Sequence, residues 1–446
     1  MEELLREATN RALRYRQAVG EDPIGPDFDA DLTELGGDLP EGPTDPMQVL
    51  KLMDEVGSPA TMGFSSPRFY GWVIGGVHPV ALAADWMVSA WDQPTYAAVA
   101  SPATVAMEAA AIRWTKEATG LPESAWGVFV TGTTSAHMTL LAAARSKVLA
   151  DEGWDAIGQG LFGAPPISVV VGGEVHPSLV KALGVVGLGR DRVIEVPVDD
   201  QGRMRSDAFP DLTSPAIVCL QAGNVNTGAF DPMGEIIPRA KAAGAWVHVD
   251  GAFGFWAAAS PRLAHLTEGM ELADSWATDA HKYLNVPYDA GLALVRDPSD
   301  LARLMSVEAA YLVEGEVGLD PGLYAPEMSR RARGVPTWAV LRSLGRSGLA
   351  DLVDRTVSLA QRFATGMGSA GHVVLNDVVL NQVLVSLGEP EETLRVVQAL
   401  QSEGTMFVGP TEWQGKTAMR VSVSNYATTE EDIDRSIEAV LRAAGV

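Results

Sequence analysis

The sequence predicts an α/β protein organised around a mostly parallel sheet of seven strands. Three observations lead there. Short β-rich runs recur at 126–130, 167–171, 192–196, 216–220, 246–249, 275–278 and 292–295. Several are apolar almost throughout, the pattern of strands covered on both faces. Alanine-rich segments of helical character, such as 136–149 and 238–243, separate many of them, and alternating strands and helices build a layered sheet.

Three regions follow along the chain. Residues 1–100 read as an N-terminal arm: a charged amphipathic helix, a Pro/Gly/Asp-rich stretch from 20 to 46, then a loop-rich section carrying Phe64, Phe69, Tyr70, Trp72, Trp91 and Tyr96. Many rings with little periodicity do not make a self-sufficient core, so the arm is expected to pack on another lobe or another subunit. Residues 101–345 hold the strand-and-helix alternation and form a large domain. Residues 346–446 form a smaller α/β domain, with helices at 349–367, 390–403 and 430–444 and strands at 382–387 and 419–424.

Bulk properties exclude several classes. The 446 residues carry 57 Asp and Glu against 33 Lys and Arg, a formal charge of −24. Such a surface repels nucleic-acid backbones and anionic lipid, so neither is expected as a partner. The first helix lacks the apolar core of a secretory leader. The most apolar long stretch, 73–91, is interrupted by Gly75, Gly76, His78, Pro79 and Asp85, and no membrane span is expected. A single cysteine, Cys219, precludes an internal disulfide and fits a reducing, cytoplasmic setting. The seven histidines are scattered without metal-ligand spacing, and no metal site is expected.

In a parallel sheet, ligands sit beyond the carboxyl ends of the strands, so the residues following each strand carry the functional argument. The first strand runs into Thr131-Gly132-Thr133-Thr134-Ser135 and straight into a helix. Free amides at that helix start, with the hydroxyls, form a phosphate cradle, although Thr and Ser also serve as plain helix caps. The run Trp246-Val247-His248-Val249 ends in Asp250, followed by the small residues Gly251 and Ala252. The small residues admit something flat, and the carboxylate requires a partner if buried. Thirty-two residues on, Asp279-Ala280-His281-Lys282 closes another strand. A lysine in an apolar setting there can lose its proton and form an imine, or it can simply reach to the surface. Phosphate loop, aspartate and lysine, in that order, are the parts that pyridoxal 5′-phosphate chemistry requires.

Beyond these parts, HVDGAFG at 248–254 and DAHKYLNVPYDAG at 279–291 resemble motifs of the group II pyridoxal-phosphate-dependent amino-acid decarboxylases. Ala100-Ser101-Pro102-Ala103 with Glu108, and Ser329-Arg330-Arg331-Ala332-Arg333, resemble two further family motifs. The resemblance covers residue 60 to the C-terminus. It implies the fold type I (aspartate aminotransferase-like) architecture, a homodimer with active sites at the subunit interface, and decarboxylation of an L-amino acid, a small-molecule substrate. It implies that Lys282 is the Schiff-base lysine and Asp250 the partner of the ring nitrogen. Ala252 packs on one ring face and His176, in Gly173-Glu174-Val175-His176-Pro177, on the other. Thr133 and Thr134 match the phosphate loop, with Asp279 and His281 nearby. Tyr311, in Ala309-Ala310-Tyr311-Leu312, resembles the loop tyrosine that returns a proton to the substrate carbon after CO2 leaves.

Two segments depart from the family pattern. The usual TGG(T/S)EAN reads Thr131-Gly132-Thr133-Thr134-Ser135-Ala136-His137, and the usual GTT segment reads Gly223-Asn224-Val225-Asn226-Thr227-Gly228, leaving Asn224 and Asn226 as candidates for the cofactor's phenolic oxygen. The side chain of the substrate stays open: the arm's aromatic residues would suit an aromatic one, His78 and His137 a polar one. Arg420 is either a carboxylate-binding arginine or an ordinary strand residue. The alternatives are another carbon–carbon lyase, an oxidative decarboxylase, an aminotransferase, and a non-catalytic dimeric relative.

Overall fold

A computed structural model describes residues 1–21, 23–306 and 320–445. All seven expected strands are present: β1 (Trp126–Val130), β2 (Ser168–Gly172), β3 (Ile194–Val196), β4 (Ala216–Gln221), β5 (Trp246–Asp250), β6 (Ser275–Asp279) and β7 (Gly291–Val295). They form one sheet in the order β1-β7-β6-β5-β4-β2-β3. β2 to β6 run parallel, while β7 lies antiparallel to both β1 and β6. β5, β6 and β7 are buried along their whole length, because helices cover both faces and each side chain of the strand meets a core.

Twelve helices accompany the sheet among the described residues. The first four are α1 (Glu2–Ala18), α2 (Pro46–Leu52), α3 (Pro79–Trp91) and α4 (Pro102–Thr119). Then come α5 (Thr133–Asp151), α6 (Ala156–Gln159), α7 (Pro177–Val185), α8 (Met233–Ala242) and α9 (Pro298–Met305). The last three are α10 (Gly334–Ser369), which breaks at Gly345, α11 (Pro390–Glu403) and α12 (Glu430–Ala444). A second sheet, β8 (Val373–Val374), β9 (Gln382–Ser386), β10 (Gly409–Trp413) and β11 (Lys416–Ser422), pairs in the order β10-β11-β9-β8. Its core of Phe363, Val385, Val396, Val421 and Ile433 is separate from the two cores of the large sheet.

Three expectations need correction. The segment read as loop-rich contains α3, whose first helical residue is Pro79 and whose N-cap is His78, with Nδ1 3.4 Å from the Val80 amide. Proline suits that position because its missing N–H would have no partner there. The helix around 238–243 begins earlier, at Met233, and carries Pro238 inside it. The two-residue strand β8 and the strand β10 were not expected at all.

The arm binds the C-terminal lobe through backbone. Tyr70 N–H donates to Phe407 O (2.9 Å), Phe407 N–H to Arg68 O (3.1 Å) and Ser422 N–H to Tyr70 O (3.0 Å). Phe69 stacks on Phe407 with centroids 5.1 Å apart, and the Tyr70 hydroxyl meets Ser436 Oγ at 3.1 Å.

The two outlying family-like motifs meet in the core. Arg330 forms a buried ion pair with Glu108 of α4, both side chains 1% exposed, and its Nη1 donates to Phe129 O of β1 at 3.1 Å. Arg331 reaches Asp85 of α3 (2.7 Å) and Arg333 reaches Asp289 (2.7 Å). The basic run thus ties together three segments that bound the carboxyl end of the sheet.

Candidate active site

The carboxyl ends of β1, β4, β5 and β6 open into one pocket of about 320 Å³. Thr133, Thr134, His176, Asp250, Ala252, Asp279, His281 and Lys282 all line it. Tyr311 lies outside the described residues. A wider cleft, about 720 Å³, is bounded by segments 199–207 and 229–235 and contains none of these residues.

Lys282 follows β6 in a tight turn, with Nζ 3.1 Å from Asp279 Oδ2. The amine therefore faces a carboxylate rather than the apolar wall expected from sequence. Asp279 also accepts the Thr133 amide (2.7 Å) and stands 3.6 Å from His281 Nε2. Burial would raise its carboxyl; Lys282, His281 and Thr133 outweigh that and hold it below the ordinary carboxylate range. His281 Nδ1 accepts from the Ala290 amide (3.1 Å), which leaves the proton on Nε2, toward Asp279. Its ring stacks on Tyr288 at 4.4 Å.

The start of α5 fits a phosphate. The Thr133 amide is taken by Asp279, but the following amides of the first turn lack intrahelical partners. Thr133 Oγ1 is buried with no hydrogen-bond partner, a cost that a bound oxyanion would relieve. At Gly132 a Cβ would stand 3.2 Å from the His281 ring, close enough that the ring would have to give way.

Asp250, 6% exposed at the end of β5, receives the Ala252 amide on Oδ1 (3.1 Å) and has His137 Nε2 3.3 Å from Oδ2. Burial would raise this carboxyl; the adjacent His137, then His176 and Lys282, outweigh it and hold it well below the usual range. His176 caps α7: its Nδ1 accepts from the Ser178 amide (3.2 Å) and lies 2.7 Å from Ser178 Oγ. Burial lowers its pKa, which favours a neutral ring. An amine, a carboxylate below a flat slot, a neutral imidazole and an unsatisfied hydroxyl at a helix start together fit pyridoxal phosphate.

Several secondary suggestions are overturned. Asn224 Oδ1 accepts the Asn226 and Thr227 amides (2.9 and 3.2 Å), and Asn226 Oδ1 is bound by Thr411 and Arg420 (2.9 and 3.3 Å). Their oxygens hold the turn, Asn224 Nδ2 donates to Gln221 Oε1 (3.3 Å), and neither residue lines the pocket, whose wall there is Gln221, Gly223 and Val225. Gln221 ends β4, so the strand-end rule would have found it. Phe69 and Tyr70 are absorbed by the C-terminal lobe. His78 packs on Tyr426 (4.9 Å) and His137 is sealed beneath Asp250, so neither lines the pocket. Arg420 lies on β11 and turns Nη1 toward Val225 O (3.4 Å) and Asn226, at the margin of the pocket.

The conserved domain of pyridoxal-dependent decarboxylases matches residues 33–386. The chain is 26% identical to the aromatic-L-amino-acid decarboxylase of Bacillus atrophaeus, over 97% of this chain and 93% of that protein. It is 30% identical to the L-2,4-diaminobutyrate decarboxylase of Rhizobium meliloti (strain 1021), over 86% and 80%. Among solved structures, Oryza sativa TDC with PLP and tryptamine superposes with a TM-score of 0.92 at 22% identity, covering 100% of this chain and 97% of that one. Mouse CSAD gives 0.90 at 23%, covering 99% and 98%. At those identities the superpositions establish the shared fold.

Proposed function

The chain belongs to the pyridoxal-dependent decarboxylase family, and from that premise we propose which residues carry the reaction and in what assembly. The cofactor is pyridoxal phosphate, and the reaction is decarboxylation of an amino acid to its amine. When bound, the cofactor supplies an electron sink for the pair left behind by departing CO2. Lys282 is the amine that anchors it, Asp250 keeps its ring nitrogen protonated, and Thr133 with the first turn of α5 holds its phosphate. Ala252 and His176 flank the ring, while Asp279 and His281 brace the lysine turn against the phosphate loop. Tyr311 is the proton donor in this reading. The protein's task is orientation, holding the scissile bond of an L-amino acid so that its electrons enter the ring.

One observation carries the assignment: the amine of Lys282, the carboxylate of Asp250 and the orphaned hydroxyl of Thr133 share one pocket. The test is a panel of L-amino acids assayed for CO2 and amine. At least one is expected to yield both, and Lys282→Ala is expected to lose the visible imine band and borohydride-trapped cofactor. A wild-type protein that binds the cofactor yet makes no amine refutes the assignment.

The assembly we propose is a homodimer whose active sites lie beside the contact, built from a 1–100 arm, a 101–345 cofactor domain and a 346–446 lobe. Its support is α3, which exposes Trp86, Met87 and Trp91 by 40%, 48% and 37%. Rings so placed along one helix are an apolar surface wanting a cover. The helix begins at the pocket's edge, with His78 N–H donating to Asn285 O (2.7 Å) three residues after Lys282. A cytoplasmic setting is proposed from Cys219, free and buried. Among the described residues no helix is long and apolar enough to cross a membrane.

A further inference from the structure

β5 presents Trp246, His248 and Asp250 at alternate positions, hence on one face of the sheet. Behind Asp250, Trp246 and His248 join Ser275 and His137 in a buried hydrogen-bonded chain. Trp246 Nε1 donates to Ser275 Oγ (2.9 Å), Ser275 Oγ lies 2.9 Å from His248 Nδ1, and His248 Nε2 lies 2.9 Å from His137 Nδ1. His137 Nε2 makes no well-aligned hydrogen bond among the described residues, and it faces Asp250 Oδ2 3.3 Å away. Ser275, His248 and His137 are all 0% exposed.

An indole can only donate, so the Trp246 end of this chain has a fixed polarity. Ser275 Oγ accepts from it and makes no other hydrogen bond among the described residues except to His248. The hydroxyl hydrogen then has one destination, His248 Nδ1. A neutral His248 that accepts on Nδ1 carries its proton on Nε2 and donates it to His137 Nδ1. His137 in turn carries its proton on Nε2, toward Asp250. Burial pushes the His248 pKa down to about 3, consistent with a neutral ring. The opposite polarity would strand the Ser275 hydrogen in the core and set a second proton on His137, at the full desolvation cost of the stranded donor.

We propose that Trp246, Ser275, His248 and His137 form a one-way hydrogen-bond chain that holds His137 as an uncharged imidazole with its Nε2–H turned toward Asp250. The four are positioning residues: they keep the carboxylate oriented yet not neutralised by an imidazolium, so its charge remains available to a ring nitrogen. This role rests on Asp250 being the ring-nitrogen partner.

The test is 15N NMR of histidine-labelled, cofactor-free wild-type protein near pH 7, with signals assigned through His137→Asn and His248→Asn. Both rings are expected neutral and protonated on Nε2. An imidazolium at His137, or an Nδ1–H tautomer at either ring, overturns the proposal. In the holoenzyme, Ser275→Ala is expected to mix the His248 tautomers, shift the cofactor's visible band and lower kcat about tenfold, the low end for a lost outer-shell partner. Ser275→Thr is expected to restore all three. A Ser275→Ala protein with wild-type tautomers and band also overturns it. Asp250→Asn separates the two readings: an unmoved cofactor band in that variant removes the ring-nitrogen role and leaves the tautomer result intact.

Discussion

At Thr133 a hydroxyl is enclosed without a partner, while the amide of the same residue is spent on Asp279. A hydrogen bond to a charged group contributes about 1.5–3 kcal/mol. Thr133→Val is therefore expected to raise the Kd for pyridoxal phosphate at least about tenfold, and fluorescence titration measures it. His248 supplies a pH dependence. Its folded pKa, about 3, is far below the ordinary imidazole value, so the unfolded chain binds the extra proton first. The stability this contributes is complete above about pH 6.5 and is lost as pH falls from there toward 3. Thermal melts across that window are expected to fall less steeply for His248→Asn than for wild type. Residues at strand ends were readable in the sequence because the carboxyl edge of a parallel sheet is where ligands go; Lys282, Asp250, Thr133, Asp279 and His281 all follow that rule into the pocket. His137 was not, because it sits a turn inside α5 and acquires its meaning only when the helix packs on β5.

Elements differ in how openly they declare themselves. β4 and β7 were legible as nearly unbroken apolar runs, the pattern of strands enclosed on both faces. α3 was not: it is apolar around most of its girth, so the 3.6-residue rhythm that marks a half-buried helix is absent. β8 has two residues and β10, reading Gly-Pro-Thr-Glu-Trp, has no apolar run, so both become strands only by pairing with β9 and β11. The Arg330–Glu108 pair binds the segment before α10 to α4, and neither charge reaches water. Arg330→Leu leaves Glu108 buried and alone, and is expected to cost about 3–5 kcal/mol of stability, read as a lower urea midpoint. Close approach matters at Gly75, where a Cβ would fall 1.9 Å from Lys282 O. Gly75→Ala is expected to displace the lysine turn and reduce borohydride-trapped cofactor.

For the whole molecule, the net charge of −24 and the exposed rings of α3 act in opposite senses. Charge keeps copies apart in general, and an apolar helix lets them meet in one orientation. Trp86→Glu is expected to shift the protein from dimer to monomer in light scattering, with activity falling alongside because α3 begins at the pocket's edge. A monomeric wild type would remove the proposed assembly. From sequence the arm was legible as dimer-forming, but not which rings serve that end, since rings on an arm look alike whether they meet a lobe or a second copy. Phe69 and Tyr70 meet the lobe, whereas Trp86 and Trp91 remain in the open.

β7 runs against its neighbours and is inserted between β1 and β6. Its first residue, Gly291, pairs with Val130 on one side and Asp279 on the other. The strands that lead into the cradle and the amine are therefore two strand widths apart, roughly 10 Å, and Asp279, bound to the Thr133 amide and the Lys282 amine at 2.7 and 3.1 Å, fixes how far the two can approach. That interval is a gauge cut into the backbone. A molecule gripped at both jaws must have its anionic tail and its reactive carbon at the matching separation, and the dephosphorylated vitamin, with nothing to seat in the far jaw, should slip.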